Sequence, residues 1–280
     1  MLFVPANNPS MVQGAPHYGA DSVILDLEDS VLASEKDAAR TLLMHALGSI
    51  DFLGKEKVVR VNPVNSEFFE QDVRAVLDVN LDTILLPKAE PKALKRLSEI
   101  VYQKRDDVGI IALIETAVGL AEAYACARAR GVEALFLGAE DLTLDMGLTR
   151  TQDDQQIYFA RWSVVLAARA AGIDAIDTPF VAIDEEEAFR RDLDVTRSLG
   201  FTGRACIHPL QVGIVHEALL PTKEQLEWAK KVIAQDESAR EKGMGAVAVD
   251  GKMVDAPIVA RARALIEKAM LFEGGAKHED

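Results

Sequence analysis

The chain has 280 residues, with 31 lysines and arginines against 45 aspartates and glutamates, so its formal net charge at pH 7 is −14. A chain this acidic lacks the positive surface that general nucleic-acid binders need. With 49% hydrophobic residues, the composition is that of a globular protein and not of a disordered one. The most apolar stretch, residues 108–127, contains Glu115 and Glu122 and is therefore a poor membrane span.

The sequence favours the cytoplasm as the compartment. Residues 1–5 show no basic segment followed by an apolar run, so no secretory signal is expected. Two cysteines, Cys126 and Cys206, are too few for a disulfide framework, and both lie in apolar patterns. We therefore expect two reduced thiols in the core.

Short strand-like runs alternate with longer helical patterns over most of the chain. Several of the short runs are apolar without polar alternation, as is typical of strands buried on both faces. Gly131, Gly172 and Gly200 each follow a helical pattern, where a left-handed cap is favoured. The predicted strands span residues 2–4, 22–27, 57–61, 83–86, 109–114, 134–137, 174–177 and 204–207, and the predicted helices between them span 35–47, 67–78, 91–103, 118–130, 154–171 and 185–199.

Eight strands with intervening helices predict an α/β fold of the (β/α)8 TIM-barrel type. A doubly wound sheet is the alternative, but it usually carries a G-x-G-x-x-G turn after its first strand, and the sequence has none. We expect the barrel domain to span residues 1–216. Residues 217–280 are predicted to form a C-terminal helical extension that packs on its own barrel or on a neighbouring subunit. Trp162 is expected to pack against the barrel unless an interface covers it.

Charged side chains recur where the predicted strands end. Because barrel enzymes place their active sites at the carboxyl ends of the strands, we expect these side chains to meet in one mouth. Solvent-facing strand ends also attract charges, so each residue alone has an ordinary structural explanation. The residues are Glu28 and Asp29 after the second strand, Arg60 after the third, Lys88 after the fourth, Glu115 after the fifth and Asp141 after the sixth.

Carboxylates from two strands suit Mg²⁺ or Mn²⁺, which prefer oxygen ligands and keep several waters. The five histidines are scattered and show no zinc spacing. A nearby arginine adds a bidentate clamp for a carboxylate. A metal ion and an arginine together are suited to holding a 2-oxo acid while a carbon–carbon bond breaks, because they stabilise the charge that develops.

The chain resembles the family of citryl-, malyl- and citramalyl-thioester lyases, and within it the citrate lyase beta subunits. The resemblance extends over nearly the whole length. It rests on several short motifs in a fixed order. These are M-L-F-V-P from Met1, D-L-E-D-S-V from Asp26 with E-K-D from Glu35, V-R-V-N from Val59, L-P-K from Leu86, Ile114-Glu115, G-A-E-D from Gly138, residues 167–173 before Asp177-Thr178, and G-K-M-V-D-A-P from Gly251.

The resemblance implies roles for the matching residues. Glu115 and Asp141 match the pair that holds Mg²⁺, and Arg60 matches the substrate-binding arginine. Asp255 matches an acid/base that is often supplied by a neighbouring subunit. Apart from the resemblance, Glu28 or Asp29 is expected to orient Arg60. Lys88 either contacts substrate at the mouth or pairs with an acidic side chain.

Some of these positions keep a second interpretation. Glu115 and Asp255 also suit the start of a following helix, and Glu140 competes with Asp141 as the second metal ligand.

The activity that the resemblance implies is cleavage of a citryl-thioester to oxaloacetate and an acetyl-thioester such as acetyl-CoA. The thioester is carried on coenzyme A or on an acyl carrier protein, in a complex with carrier and transferase subunits. A homotrimer is expected. Lys92, Lys95 and Arg96 belong either to a carrier-binding patch or to an ordinary solvated helix face. The alternatives are a malyl- or citramalyl-CoA lyase, a malate synthase-like enzyme, an aldolase of free 2-oxo acids, and a non-catalytic subunit. No nucleic-acid or membrane partner is expected.

Overall fold

A computed structural model describes residues 1–151, 154–241, 247–249 and 252–275. The chain divides into two compact units, Met1–Val215 and His216–Asp280. None of the helices in the described ranges is long and apolar enough to cross a bilayer.

The first unit is built on eight parallel strands that pair in sequence order. The last strand is extended by Cys206, which pairs in parallel with Leu2 of the first. There the Phe3 N–H donates to the Cys206 carbonyl over 2.9 Å, and the sheet returns to its starting strand. The TIM-barrel prediction is therefore confirmed. The strands are β1 (Leu2–Pro5), β2 (Ser22–Asp26), β3 (Glu56–Arg60), β4 (Thr83–Leu86), β5 (Gly109–Ile114), β6 (Val132–Leu137), β7 (Asp174–Asp177) and β8 (Gly203–Arg204).

Helices follow the strands along the chain. Two short 3-10 helices, Ala15–Tyr18 and Ala33–Glu35, precede α2. The helices are α1 (Pro9–Gly14), α2 (Lys36–Ser49), α3 (Phe69–Val76), α4 (Pro91–Lys104), α5 (Ala117–Ala121), α6 (Ala123–Ala127), α7 (Ala139–Asp145), α8 (Gln155–Ala171), α9 (Glu186–Leu199) and α10 (Pro209–Leu219).

The structure corrects one predicted helix. The pattern over residues 118–130 forms two short helices, α5 and α6, which meet at Glu122, where φ is −105° and ψ is 17°. Because α6 ends at Ala127, Gly131 caps no helix, although its φ of +80° is left-handed. Gly172 and Gly200 follow α8 and α9 as predicted, with φ of +75° and +92°.

The barrel interior is filled by apolar side chains from successive strands. The opposite faces of the strands are buried as well, so Val23, Ile24 and Leu25 are all inaccessible to solvent. Both cysteines are free and buried, as expected. The interior cluster consists of Ile24, Val58, Leu85, Ile111, Leu113, Ala134, Phe136, Ile176 and Ala205, with Met1 and Phe3 packed against it.

The second unit contains α11 (Lys223–Glu241), the antiparallel strands β9 (Val247–Val249) and β10 (Lys252–Val254), and α12 (Ala256–Gly275). Its core is small and apolar, with Ala229, Val232 and Ala262 at its centre. Gly251, the first residue of the C-terminal motif, lies outside the described residues. The predicted boundary between residues 216 and 217 stays a prediction.

Candidate active site

A cavity of about 490 Å³ lies among the carboxyl ends of the strands. The structure brings four of the predicted site residues to its wall, Asp29, Arg60, Glu115 and Asp141. The wall also has an apolar part, to which Phe3, Leu113 and Phe136 contribute. Charged and apolar surfaces therefore share one enclosure, as is typical of small-molecule sites.

Arg60 is fixed by Asp26, which ends β2 next to it. Nε and Nη2 of the guanidinium donate to the two Asp26 oxygens, each over 2.7 Å. The guanidinium carbon of Arg60 also lies over the Phe3 ring, 5.1 Å from its centroid. Burial alone would raise the pKa of Asp26, but the hydrogen bonds and charge of Arg60 lower it. The pair is thus a charge-assisted clamp that keeps one edge of the guanidinium occupied and leaves Nη1 for other partners.

Nη1 of Arg60 faces two further carboxylates. It lies 2.9 Å from Glu28 Oε2 and 3.5 Å from Asp29 Oδ2. Glu28 is buried, and its Oε2 atom has no hydrogen-bond partner within the described residues. Burial, with the neighbouring Asp29 and Asp26 charges, raises the pKa of Glu28 to about 7 against the opposing charges of Arg60 and Lys88. The loop that carries Glu28 is held by Lys36, whose Nζ donates to the Leu27 and Glu28 carbonyls over 2.7 Å each.

Glu115 follows β5 and is buried at the cavity wall. Its Oε1 accepts the backbone N–H of Lys88 over 2.8 Å. Gly138 leaves the space that Glu115 fills, since a Cβ at position 138 would lie 2.7 Å from both Cβ and Oε2 of Glu115. Burial and the nearby Glu28 charge raise the pKa of Glu115 to about 8. Two neighbouring strands therefore shape the position of this carboxylate.

Asp141 lies in the first turn of α7, directly after β6. The helix is held by Thr178, whose Oγ1 accepts the Ala139 N–H over 3.2 Å. Neighbouring Glu140 forms an ion pair with Arg150 and is 61% exposed, against 33% for Asp141. Asp141 is therefore better placed than Glu140 to be the second metal ligand beside Glu115.

The cluster carries more negative than positive charge. Five carboxylates, Asp26, Glu28, Asp29, Glu115 and Asp141, are accompanied by the cations Arg60 and Lys88. Within the described residues, no three His, Cys, Asp or Glu side chains form a ready metal cage. Two carboxylates with room for water, beside a Glu28 oxygen that faces Arg60 but accepts no hydrogen bond within the described residues, fit a hard cation that keeps part of its hydration shell.

Asp255 belongs to the second unit. It precedes α12, and its Oδ1 accepts the Ile258 N–H over 3.3 Å, which is the geometry of a helix N-cap. Asp255 therefore caps α12, as one of its two interpretations predicted, and its role as an acid/base stays a prediction.

Sequence reasoning missed three residues that build the site, Phe3, Lys36 and Gly138. Lys36 and Gly138 lie inside motifs that carry the resemblance, so the signal for them was present without an assigned role. Phe3 also lies inside such a motif, the apolar strand that starts the chain, and only the fold shows its position beside Arg60.

Comparisons with known proteins agree on one family. Residues 1–209 match the HpcH/HpaI aldolase/citrate lyase family. The chain is 39% identical to the citrate lyase subunit beta of Leuconostoc mesenteroides subsp. cremoris, over 96% of this chain and 92% of the relative. It is 30% identical to the mitochondrial citramalyl-CoA lyase of Rattus norvegicus, over 96% and 85% of the two chains.

Among solved structures, the CitE protein of Mycobacterium tuberculosis in complex with magnesium, acetoacetate and coenzyme A superposes with a TM-score of 0.83. Its sequence is 33% identical, and the match covers 96% of both chains. The chain therefore belongs to the HpcH/HpaI aldolase/citrate lyase family.

Proposed function

We propose that the protein is a Mg²⁺-dependent carbon–carbon lyase that cleaves a citryl-thioester to oxaloacetate and an acetyl-thioester. The observation that carries the proposal is the convergence of Arg60, Glu115 and Asp141 on one cavity whose carboxylates outnumber its cations. The similarity to citrate lyase beta subunits supports the substrate, and the magnesium and coenzyme A of the similar CitE structure support the cofactor and the thioester.

In this proposal Glu115 and Asp141 hold Mg²⁺. The ion, when bound, would supply Lewis-acid stabilisation of the negative charge on the hydroxyl oxygen of the substrate, which becomes the keto oxygen of the oxo-acid product. Arg60 binds the carboxylate of the same product through the part of its guanidinium that Asp26 leaves open. Glu28 and Asp29 orient Arg60, and Lys88 contacts the anionic substrate.

The chemistry is a retro-Claisen cleavage. A base accepts the proton of the tertiary hydroxyl, the carbon–carbon bond of the resulting alkoxide breaks to give the keto group, and the electron pair of that bond passes to the acetyl-thioester as an enolate. We propose Asp255 as the acid that protonates the enolate carbon in the cleavage direction and as the base in the reverse direction.

A coupled assay for oxaloacetate release from citryl-CoA tests the proposal, with Mg²⁺ in one arm and a chelator in the other. We expect release that depends on the metal. Citramalyl-CoA and malyl-CoA are run beside it, because the similarity to citramalyl-CoA lyase keeps that second activity open. If only citramalyl-CoA or malyl-CoA is cleaved, the second activity is the correct one. If none of the three thioesters is cleaved, the lyase proposal is contradicted.

We also propose that the protein acts in the cytoplasm as a homotrimer. Trp162 is half exposed in the single chain, so of its two predicted environments, the barrel and an interface, the interface is the one that stays a prediction. Phe159 and Leu166 of the same helix are 75% and 69% exposed. An apolar face of this kind supports self-association, and light scattering at several concentrations tests the trimer.

We further propose that carrier and transferase subunits of a citrate lyase complex bind this protein. The proposed carrier patch on α4 is partly neutralised, because Arg96 pairs with Glu70 over 2.7 Å and Lys95 lies 3.9 Å from Glu99. Lys92 is exposed. Binding of an acyl carrier protein that weakens when Lys92 is changed to glutamate would support the patch.

A further inference from the structure

Lys88 contacts both proposed metal ligands, each in a different way. Its backbone N–H donates to Glu115 Oε1 over 2.8 Å, and its Nζ lies 3.7 Å from Asp141 Oδ2. The same Nζ lies 3.5 Å from Glu28 Oε1. One residue therefore links three carboxylates of the site.

The backbone of Lys88 is held in a conformation that few residues adopt. Its φ of +49° lies in the left-handed region, which costs a non-glycine residue free energy and persists only where the surroundings enforce it. The hydrogen bond from the same residue's N–H to Glu115 holds the backbone in place, so the start of the lysine side chain is fixed beside the acidic cluster.

The ammonium group is held less firmly than the backbone. Both of its ion pairs are longer than a hydrogen bond, and the side chain is 41% exposed. A long flexible stem at the rim of the site lets Nζ change partners without moving the backbone. A divalent cation at Asp141 and Glu115 would repel this ammonium and take over its electrostatic role.

We propose that the Lys88 ammonium holds the acidic cluster together until the metal binds, and that the metal then displaces it toward the anionic substrate. Lys88 thus competes with the metal for Asp141 and afterwards attracts the substrate. Metal binding and substrate binding are coupled through this exchange. The inference rests on the proposed metal site, but it concerns the order of binding and not the bond that is cleaved.

The proposal predicts that Lys88→Gln changes the affinities for Mg²⁺ and for an anionic ligand in opposite directions. Without substrate, the variant binds Mg²⁺ about threefold to tenfold more tightly, since a competing positive charge is gone. With saturating Mg²⁺, it binds oxalate, a small dianion that resembles a 2-oxo acid, about tenfold more weakly. Isothermal titration calorimetry on the full chain measures both dissociation constants. A purely structural role for Lys88 would weaken both.

Lys104→Gln is the matched control. Lys104 ends α4 and forms an exposed ion pair with Asp78, so the same charge is removed from a different pair. We expect both dissociation constants to stay within about twofold of the wild type.

The exchange would be contradicted if Lys88→Gln binds Mg²⁺ as tightly as the wild type or more weakly. If Glu115→Gln abolishes Mg²⁺ binding in the same experiment, the proposed metal site is still supported. Absence of Mg²⁺ binding in the wild type would overturn both. Tighter metal binding in a protein that cleaves no thioester would support the exchange and contradict the proposed activity.

Discussion

Asp26 and Arg60 end neighbouring parallel strands and face each other across two hydrogen bonds of 2.7 Å. The register of β2 and β3 pairs these two residues directly. Both side chains are largely buried, so the ion pair is shielded from water and fixes the plane of the guanidinium. The barrel thereby supplies a rigid cation at the wall of the cavity, before any ligand is present.

Arg60→Lys tests this clamp. Lysine keeps the charge but has no planar fork, so Asp26 loses its two-point partner and the substrate carboxylate loses its oriented donor. We expect kcat/KM to fall at least about 100-fold and the free energy of unfolding to fall by about 2 kcal/mol. Steady-state kinetics and urea unfolding measure the two effects.

Arg74→Lys is the control for this prediction. Arg74 pairs with Glu70 over 3.1 Å at the surface, where the same exchange should change stability by less than about 0.5 kcal/mol. An equal loss of stability in Arg60→Lys and Arg74→Lys would contradict the proposed importance of the buried Arg60–Asp26 pair.

The choice between Asp141 and Glu140 is decided by a matched pair of variants. Asp141→Asn should weaken Mg²⁺ binding at least about 100-fold, because the amide is a poor ligand and one negative charge is lost. Glu140→Gln removes the same charge from the adjacent residue, which pairs with Arg150. We expect it to bind Mg²⁺ with nearly the wild-type affinity, as measured by calorimetry. The reverse outcome would transfer the ligand role to Glu140.

Gly138→Ala tests the packing behind Glu115. A Cβ at position 138 would lie 2.7 Å from Glu115 Oε2 and from its Cβ, so the carboxylate must move. We expect a loss of about 1–3 kcal/mol in the free energy of unfolding and weaker Mg²⁺ binding. Thermal unfolding with and without Mg²⁺ separates the two effects.

Gly48→Ala serves as the control, because position 48 lies in α2 and has open space around a new Cβ. Alanine there should leave stability unchanged or raise it slightly, since alanine favours helix more than glycine does. A neutral Gly138→Ala would mean that the site relaxes around the added methyl group.

Strand periodicity and the strand-end rule were enough to predict the barrel and its mouth. The rule works because parallel strands carry their carboxyl ends to one edge, which brings Arg60, Glu115 and Asp141 together without any knowledge of their contacts. The break at Glu122 was not predictable in this way, since the helical pattern over residues 118–130 continues through it.

Other features depend on tertiary contacts that no local pattern encodes. Lys88 follows a proline, and no glycine stands at or next to this position to signal its positive φ. Arg161 and Arg204 lie deep in the barrel wall, where both pair with Asp177 and Asp192, and a periodicity argument does not expect two arginines there. Buried charges of this kind become evident only when their partners from other elements are in place.

The raised pKa values of Glu28 and Glu115 predict how stability depends on pH. Both groups have an ordinary pKa of 4.5, and in the folded chain these values rise to about 7 and about 8. The folded state therefore binds more protons than the unfolded state in this interval, and the free energy of unfolding falls as the pH rises. The metal-free protein should lose stability from about pH 5 to about pH 8.

Asp26 does not contribute to the change in stability between about pH 5 and about pH 8. Its pKa is lowered from 3.8, so its contribution is lost only as the pH falls below that value and is constant above pH 5. Glu28→Gln should reduce the slope of stability against pH, whereas Glu70→Gln, at an exposed surface ion pair, should leave it unchanged. Urea unfolding at several pH values in the presence of a chelator measures the slopes.

Mg²⁺ should reverse part of this trend, because the ion binds the deprotonated carboxylates and releases their protons. Its apparent affinity is expected to rise with pH and to level off above about pH 8, where Glu115 is mostly ionised without the metal. Calorimetric titration in two buffers of different ionisation enthalpy counts the protons released. A count of zero at pH 6 would mean that Glu115 and Glu28 are already ionised in the metal-free protein, which contradicts the influence that burial exerts on them.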